Sequence, residues 1–189
     1  MAGLVRVILE HGPGEASIDR LTTLPNRSYF LGEVNRHIDR LEQDGTSGTM
    51  LLIDLDGLRR INAAHGRAIG DDLLIRTANL LRGVVRPVDM VARVGGDEFA
   101  VWLDNMDHMT AAERAVGLAE RRLALPVDVA DMDETEPMQS EMTLSIGIAS
   151  RLVGDGEDAR ALLRRAHKAL WDAKQVGGGG WAVSRAPRG

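Results

Sequence analysis

The sequence predicts a mixed α/β (α+β) domain in which a mostly antiparallel sheet of about five strands is flanked by helices, in a split βαβ, ferredoxin-like order. Three observations predict it. Met50–Ile53 form a continuous apolar run rather than an alternating one, the pattern of a strand covered on both faces. Gly95-Gly96 separates two strand-like segments, 89–94 and 98–103, which is a hairpin signal whose type I′ turn would need positive φ at both glycines. Amphipathic helical stretches alternate with the strands, so that the order from the first strand reads β-α-α-β-β-α-β-α-(β).

Each element has its own signal. Leu4–Leu9 reads as a short strand broken by His11-Gly12-Pro13-Gly14, and residues 1–18 are taken as a linker or the tail of an upstream element, ahead of a domain over 19–185 and a disordered tail over 186–189. Asn26 after Leu24-Pro25 is the expected N-cap of a helix whose inward face is Phe30, Leu31, Val34, Ile38 and Leu41, with Gly45 and Gly48 closing it. A strand over 49–54 follows, then a short helix over 58–64 and a longer one over 70–85 with Leu73, Leu74, Thr77, Leu80, Leu81 and Val84 inward. Thr110 with Glu113 reads as a capping box opening a helix to about Leu125. Residues 126–140 are an acidic loop, 142–149 a strand, and 158–176 a helix with Leu162, Leu163, Ala166, Ala169, Leu170 and Ala173 inward and Gly177 at its C′ position. Trp181–Ser184 would add an edge strand.

Composition narrows the function classes. The 189 residues are 44% hydrophobic and 27% charged, a globular balance in a length typical of one domain plus a short extension. Lys and Arg total 23 against 28 Asp and Glu, a net charge of -5, which argues against a dedicated duplex-binding protein and leaves small anions as charged partners. The absence of Cys removes disulfide scaffolds, thiolate metal sites and cysteine nucleophiles, and fits a reducing cytoplasm, the expected location. No segment approaches the ~20 apolar residues of a membrane span, and Met1–Val7 lacks the apolar core of a signal peptide.

Three acidic clusters lie beside turns: Asp54-Leu55-Asp56 at the end of the first strand, Asp97-Glu98 after the diglycine, and Asp71-Asp72 at the expected start of a helix. In the expected layout the first strand and the hairpin are neighbours, so Asp54 would face Asp97 or Glu98. Converging carboxylates repel unless a cation lies between them, and oxygen-only ligands favour Mg2+ or a similar hard ion shared with substrate phosphates. Each feature alone has a plainer reading: solvated acidic pairs, an ordinary hairpin, a helix-dipole contact for Asp71 and Asp72, a surface lysine at Lys174.

Taken together, these residues resemble the GGDEF family of bacterial diguanylate cyclases. Arg93-Val94-Gly95-Gly96-Asp97-Glu98-Phe99 resembles its signature; Asp19 to Arg27 resembles DxLTGLPNR; Asp54-Leu55-Asp56 through Ile61-Asn62, Gly66 and Gly70-Asp71 resembles DxDxFKxINDxxGHxxGD; Thr143 to Ala149 resembles TxSIGxA; and Ala166 to Lys174 resembles ADxALYxAK. The resemblance covers roughly 19–180. It implies a nucleotidyl-cyclase, polymerase-palm-like fold and the condensation of two GTP into cyclic di-GMP and two pyrophosphates, with Mg2+ or Mn2+, between two domains that each hold one GTP. The homodimer it implies would be weak or transient. An upstream sensor domain or a partner phosphodiesterase domain would be its context; from the acidic balance and the short apolar runs, no nucleic acid partner and no membrane segment within this chain are expected.

By position, the resemblance makes Asp54, Asp97, Glu98 and the Leu55 carbonyl the metal ligands, with Glu98 serving a second metal or the deprotonation. It gives Asn62 and Asp71 the guanine edge and places Leu58 and Arg59 on a loop offering amides to the β/γ-phosphates. Gly95 and Gly96 lie beside the nucleotide and Lys174 on a phosphate, so that Asp97, Glu98 and Lys174 form the catalytic set. Asp56 is left structural. Arg86-Pro87-Val88-Asp89 matches the inhibitory RxxD site for product, with Arg121 as a supplementary contact; the plainer reading of Arg86 and Asp89 is a local ion pair. Departures are Thr23, Gly57, Arg59, Ala63, Arg67, His167 and Gly178, the last standing where a phosphate-binding Arg is common. Loss of one such contact would weaken GTP binding by ~2 kcal/mol, with Arg59, Arg60 and Arg67 as candidates to compensate. Two alternatives stay open: a degenerate module that binds GTP or cyclic di-GMP without turnover and regulates a partner domain, and another nucleotidyl cyclase using the same carboxylate logic.

Overall fold

The computed structural model describes residues 17–121, 123–124 and 141–184. The strand expected over Leu4–Leu9, the acidic loop over 126–140 and the tail over 186–189 lie outside them. Five helices and seven strands are found among the described residues: α1 (Arg27–Asp44), β1 (Gly48–Leu55), α2 (Leu58–His65), α3 (Arg67–Val84), β2 (Met90–Arg93), β3 (Glu98–Leu103), α4 (His108–Ala119), β4 (Leu123–Ala124), β5 (Glu141–Met142), β6 (Leu144–Arg151), α5 (Ala159–Gln175) and β7 (Trp181–Val183). The main sheet has the order β2-β3-β1-β6-β7, antiparallel except for the parallel β6–β7 pair, and β4 and β5 form a separate ribbon. No helix among the described residues is long and apolar enough to cross a membrane.

The period-2 alternation of β1 assigns its residues to two cores. Met50 and Leu52 point to one side with Phe30, Val34 and Ile38 of α1 and Leu162, Leu163 and Ala166 of α5. Leu51, Ile53 and Leu55 point to the other, with Leu58 of α2, Leu73, Leu74 and Leu81 of α3, and Ala111 and Ala115 of α4. All eight β1 residues are buried, as the continuous apolar run requires of a central strand covered by helices on both faces. With few aromatics available, Trp102 and Phe99 of β3 and Phe30 of α1 are fully enclosed and fill the largest volumes.

Several expected boundaries move for local reasons. Gly48 is not a helix stop but the first residue of β1; a Cβ there would lie 2.3 Å from the Trp102 ring, so the position serves close packing. The α3 helix begins at Arg67, because Gly66 turns the chain directly out of α2, and Asp71 and Asp72 therefore lie beyond its first turn. Thr110 does not cap α4. Asp107 does, accepting from the amides of Met109 (2.8 Å) and Thr110 (3.1 Å), while the Thr110 hydroxyl donates to it; the helix then ends at Ala119 rather than near 125. The strand expected over 142–149 is two strands, with Thr143 between them donating no ladder role but offering its carbonyl to the Asp56 amide. The hairpin is present, but neither Gly95 nor Gly96 has positive φ, so the turn is not type I′. Instead the amides of Val94 and Gly95 both donate to the Glu98 carbonyl, a wider loop whose tip is not spent on a tight reversal.

Sheet and α5 are locked at Gly147. A Cβ there would lie 2.1 Å from the Ala166 carbonyl oxygen and 2.4 Å from the Leu170 amide nitrogen, both backbone atoms of α5. Gly147→Ala must lift the helix from the sheet, and the expected cost is at least ~2 kcal/mol, read as a lower denaturation midpoint in urea.

Candidate functional site

The site grows from one register. In the antiparallel β1–β3 pair Asp54 lies opposite Glu98, and the Leu55 amide donates to the Asp97 carbonyl at 3.2 Å. Directly opposed side chains stand ~5 Å apart at Cβ, so the two acidic segments, separated by the two helices and β2, meet at one end of the central strands, where β1 finishes and β3 begins. Asp54 is 6% exposed. Burial pushes its carboxyl up, to about 6; Lys174 opposes this, and the charges of Asp97 and Asp56 add to it. The last two contributions are the electrostatic mark of carboxylates converging.

The α5 helix supplies an ammonium and an imidazole. Lys174 Nζ lies 2.5 Å from Asp54 Oδ1 and His167 Nδ1 lies 3.3 Å from Glu98 Oε1. The resemblance put Lys174 on a phosphate; here its partner is Asp54. Glu98 also leans over Gly95, where a Cβ would meet its Oε2 at 2.6 Å, so a side chain at 95 would displace that carboxylate. Among the described residues no three His, Asp or Glu side chains already enclose a point where an ion would sit. The donors nonetheless fit a hard divalent cation: they are oxygens, they are mutually repelled, and an ammonium already occupies the Asp54 oxygen where positive charge is needed.

Asp56, two residues on, does different work. It accepts from the hydroxyls of Thr143 (2.9 Å) and Ser145 (2.7 Å) and from the Gly179 amide (2.8 Å). These bonds tie β1 to the loop after α5. That loop runs through Gly177, Gly178 and Gly179 with φ of 114°, 74° and 66°. The left-handed backbone is strained for any L side chain, so the missing arginine at 178 and the loop's path belong together. The roles of Thr143 and Ser145 were present in the sequence only as members of a motif, because hydroxyls at alternate strand positions do not name their partner.

The nucleotide-facing candidates lie where α2 meets α3. Asn62 Oδ1 is buried without a hydrogen-bond partner, and a Cβ at Gly70 would sit 1.9 Å from it. Gly70 thus lets α3 approach Asn62 and places Asp71, which is exposed, beside it. Leu58 is not on a loop: it opens α2, and its side chain is in the core at 5% exposure. Gly57 precedes it with φ 79° and no side-chain cap, so the amides of the first turn, Leu58 and Arg59 included, have no capping side chain. Arg59 is exposed.

Arg93 joins the lead-in segment to the signature turn, a link not read from the sequence. Its guanidinium donates to Asp19 (3.1 and 3.2 Å) and to the Gly96 carbonyl (2.6 Å), while its amide donates to the Pro25 carbonyl (3.0 Å). Burial raises the Asp19 carboxyl, but Thr22 and Arg93 outweigh it and hold it below its ordinary value.

At the α3–β2 junction Arg86 grips Asp89 through Nε (3.0 Å) and Nη2 (2.6 Å) and also donates to the Asp104 carbonyl (2.6 Å). The Asp89 side chain is fully buried, with Arg114 3.6 Å away. The plainer reading of this pair as a local ion pair describes the geometry found. A cavity of about 330 Å³ opens beside it, lined by Tyr29, His37, Arg40, Pro87 and Val88. Arg121 is not brought to this pair; it lines a different cavity with Arg114 and Leu118, on the α4 side of the sheet.

The raised Asp54 carboxyl carries a sign. Between the unfolded value of 3.8 and about 6 the folded protein binds more protons than the unfolded chain, so Asp54 lowers stability progressively as pH rises through that window. Asp54→Asn is therefore expected to raise the melting temperature of the metal-free protein by several degrees at pH 7.5, with the gain vanishing below about pH 4; thermal denaturation in chelator across pH measures it.

Comparisons with known proteins agree with this arrangement. A family model described as "Diguanylate cyclase, GGDEF domain" matches residues 16–179. Response regulator PleD of Caulobacter vibrioides is 36% identical over 172 residues, covering 89% of this chain and 36% of PleD; diguanylate cyclase A of Treponema denticola is 33% identical, covering 84% and 42%. The chain thus spans well under half the length of these relatives. Among solved structures, the GGDEF domain of DgcB from Caulobacter crescentus in complex with c-di-GMP superposes with a TM-score of 0.76 at 27% identity, covering 92% of this chain and 96% of that one. The GGDEF domain of TpbB from Pseudomonas aeruginosa gives 0.74 at 30%, covering 88% and 99%. With its sheet order, its juxtaposed Asp54 and Asp97-Glu98 and these matches, the chain belongs to the GGDEF family.

Proposed function

We propose that this domain is a diguanylate cyclase that condenses two GTP into cyclic di-GMP, releasing two pyrophosphates, with two copies of the chain each presenting its GTP to the other. The observation that carries the reading is the β1–β3 register, which sets Asp54 against Glu98 with Asp97 tied to Leu55. The partnerless, buried Asn62 Oδ1 beside Asp71 supports a guanine site, since a buried acceptor left unpaired costs stability that a ligand donor would recover.

The residues have distinct tasks. Asp71 accepts from the guanine N1–H and exocyclic amine, and Asn62 pairs beside it, which disfavours adenine. Amides at the start of α2, at Leu58 and Arg59, donate to the β/γ-phosphates, with the Arg59 side chain adding charge. Gly95 and Gly96 keep the signature loop free of side chains next to the nucleotide. The Asp54, Asp97 and Glu98 carboxylates and the Leu55 carbonyl would hold Mg2+ or Mn2+. The bound ion supplies charge neutralisation at the triphosphate and acidifies the attacking hydroxyl. Lys174, released from Asp54, turns to a phosphate oxygen. In each half-reaction a 3′-oxygen bonds to the partner's α-phosphorus, the bond from that phosphorus to the pyrophosphate oxygen breaks, and Glu98 takes the hydroxyl proton. Positioning and electrostatics supply the rate, so weak pairing of domains limits it at low concentration. Arg86 and Asp89 bind product as an inhibitory site, with Arg121 contributing only from a rearranged or neighbouring domain. A sensor or phosphodiesterase domain beyond this chain would set the pairing.

Purified protein with GTP and Mg2+ or Mn2+ is expected to yield cyclic di-GMP, identified by mass, at a rate per subunit that rises with protein concentration. Asp97→Ala should lower that rate at least about a hundredfold. A second reading, binding of GTP or cyclic di-GMP without turnover, draws on Gly178 and its left-handed loop, which leave no arginine there for phosphate. Calorimetric binding of either nucleotide with no product at high protein concentration would establish it instead. Arg86→Ala should relieve inhibition by added cyclic di-GMP and also lower stability by about 1–3 kcal/mol, since it leaves the buried Asp89 short of its closest partner. Inhibition curves and urea melts of the same preparation separate the two effects.

A further inference from the structure

His167 stands over the same acidic pair as Lys174, two helical turns before it on the face of α5 that covers the end of the β1–β3 pair. The two are chemically unlike. An ammonium has no lone pair and can only neutralise a carboxylate, whereas an imidazole offers a ring nitrogen to a metal. The His167 side chain is 37% exposed and Glu98 23%, so both are open to solvent rather than sealed in the core. His167 Nδ1 and Glu98 Oε1 are 3.3 Å apart. Adjacent donors on a six-coordinate ion with bonds near 2.1 Å stand about 3 Å from each other, so the two atoms need little movement to share one ion. The last sequence motif has Asp at this position, so the nitrogen donor belongs to this chain and not to the family pattern.

We infer that His167 joins Glu98 as a ligand of the divalent cation, and that its nitrogen makes the site prefer Mn2+ to Mg2+. The inference rests on the nucleotide site proposed above. Mg2+ holds to hard oxygen donors and sheds water reluctantly, while Mn2+ accepts imidazole and tolerates longer bonds. A site of carboxylates and a carbonyl alone discriminates weakly between the two ions; one imidazole tips it toward the transition metal.

The test is pulsed EPR of Mn2+ bound to the full chain with the α,β-methylene analogue of GTP, which cannot lose pyrophosphate. Wild type is compared with His167→Ala and His167→Asp, whose folding is checked by circular dichroism. Wild type should show the coupling of a directly bound imidazole nitrogen, absent from both variants, and Mg2+ competition should show the preference for Mn2+ falling at least about tenfold in His167→Asp. Mn2+ bound with no nitrogen coupling lost on substitution, or an unchanged Mn2+ to Mg2+ ratio, overturns the role of His167 and leaves the cyclase reading standing. No Mn2+ bound to wild type overturns both.

Discussion

Opposite Asp54 on β1 stands Glu98 on β3, and everything at the site depends on that pairing. Antiparallel strands repeat their side-chain facing every two residues, so a slip of one residue would send Asp54 to the α2–α3 side and leave Glu98 on the α5 side. What prevents the slip is the core itself. Leu51, Ile53 and Leu55 fill one face and Met50 and Leu52 the other, and both faces are sealed by helices. The apolar residues that hold the strand in place thereby also aim the carboxylates.

Such an arrangement is electrostatically costly, and the fold manages the cost with α5. The helix lies against β6 at the Gly147 contact, close enough that its second half brings His167 and Lys174 over the two carboxylates. Even with Lys174 in place the Asp54 carboxyl stays raised, because an ammonium on one oxygen does not offset burial and two neighbouring acids. The site holds more negative charge than the chain neutralises, which is the condition that favours a divalent cation. Asp56 instead accepts from the hydroxyls of Thr143 and Ser145 and from the Gly179 amide.

Two links widen the picture from the site to the domain. Arg93 ties Asp19 in the lead-in segment to the Gly96 carbonyl of the signature loop, and Arg82 reaches the Thr22 carbonyl at 2.9 Å and the Thr23 hydroxyl at 2.8 Å from α3. The segment preceding α1 is thus fastened to both the sheet edge and the helical layer. At the opposite corner, Arg86 is spent on Asp89 and Asp104, so any ligand taken there competes with an existing ion pair.

The sequence by itself determined the order of elements, the double burial of β1, the N-cap at Asn26, and the family, because these rest on local periodicity and on motifs contiguous in the chain. It also placed Asp54 near Asp97 and Glu98, since neighbouring strands in a split βαβ order leave few other pairings. It misplaced the start of α4, where two capping residues stand three positions apart and only backbone geometry selects Asp107 over Thr110. It assumed positive φ at Gly95 and Gly96, which the wider loop does not use. Only the tertiary structure decided which α5 side chain faces which carboxylate, that Arg86 closes on Asp89 while Arg121 lines another cavity, and that Leu58 points into the core. Such contacts join residues far apart in the chain through helix placement and packing distance, quantities that no local pattern of residues encodes.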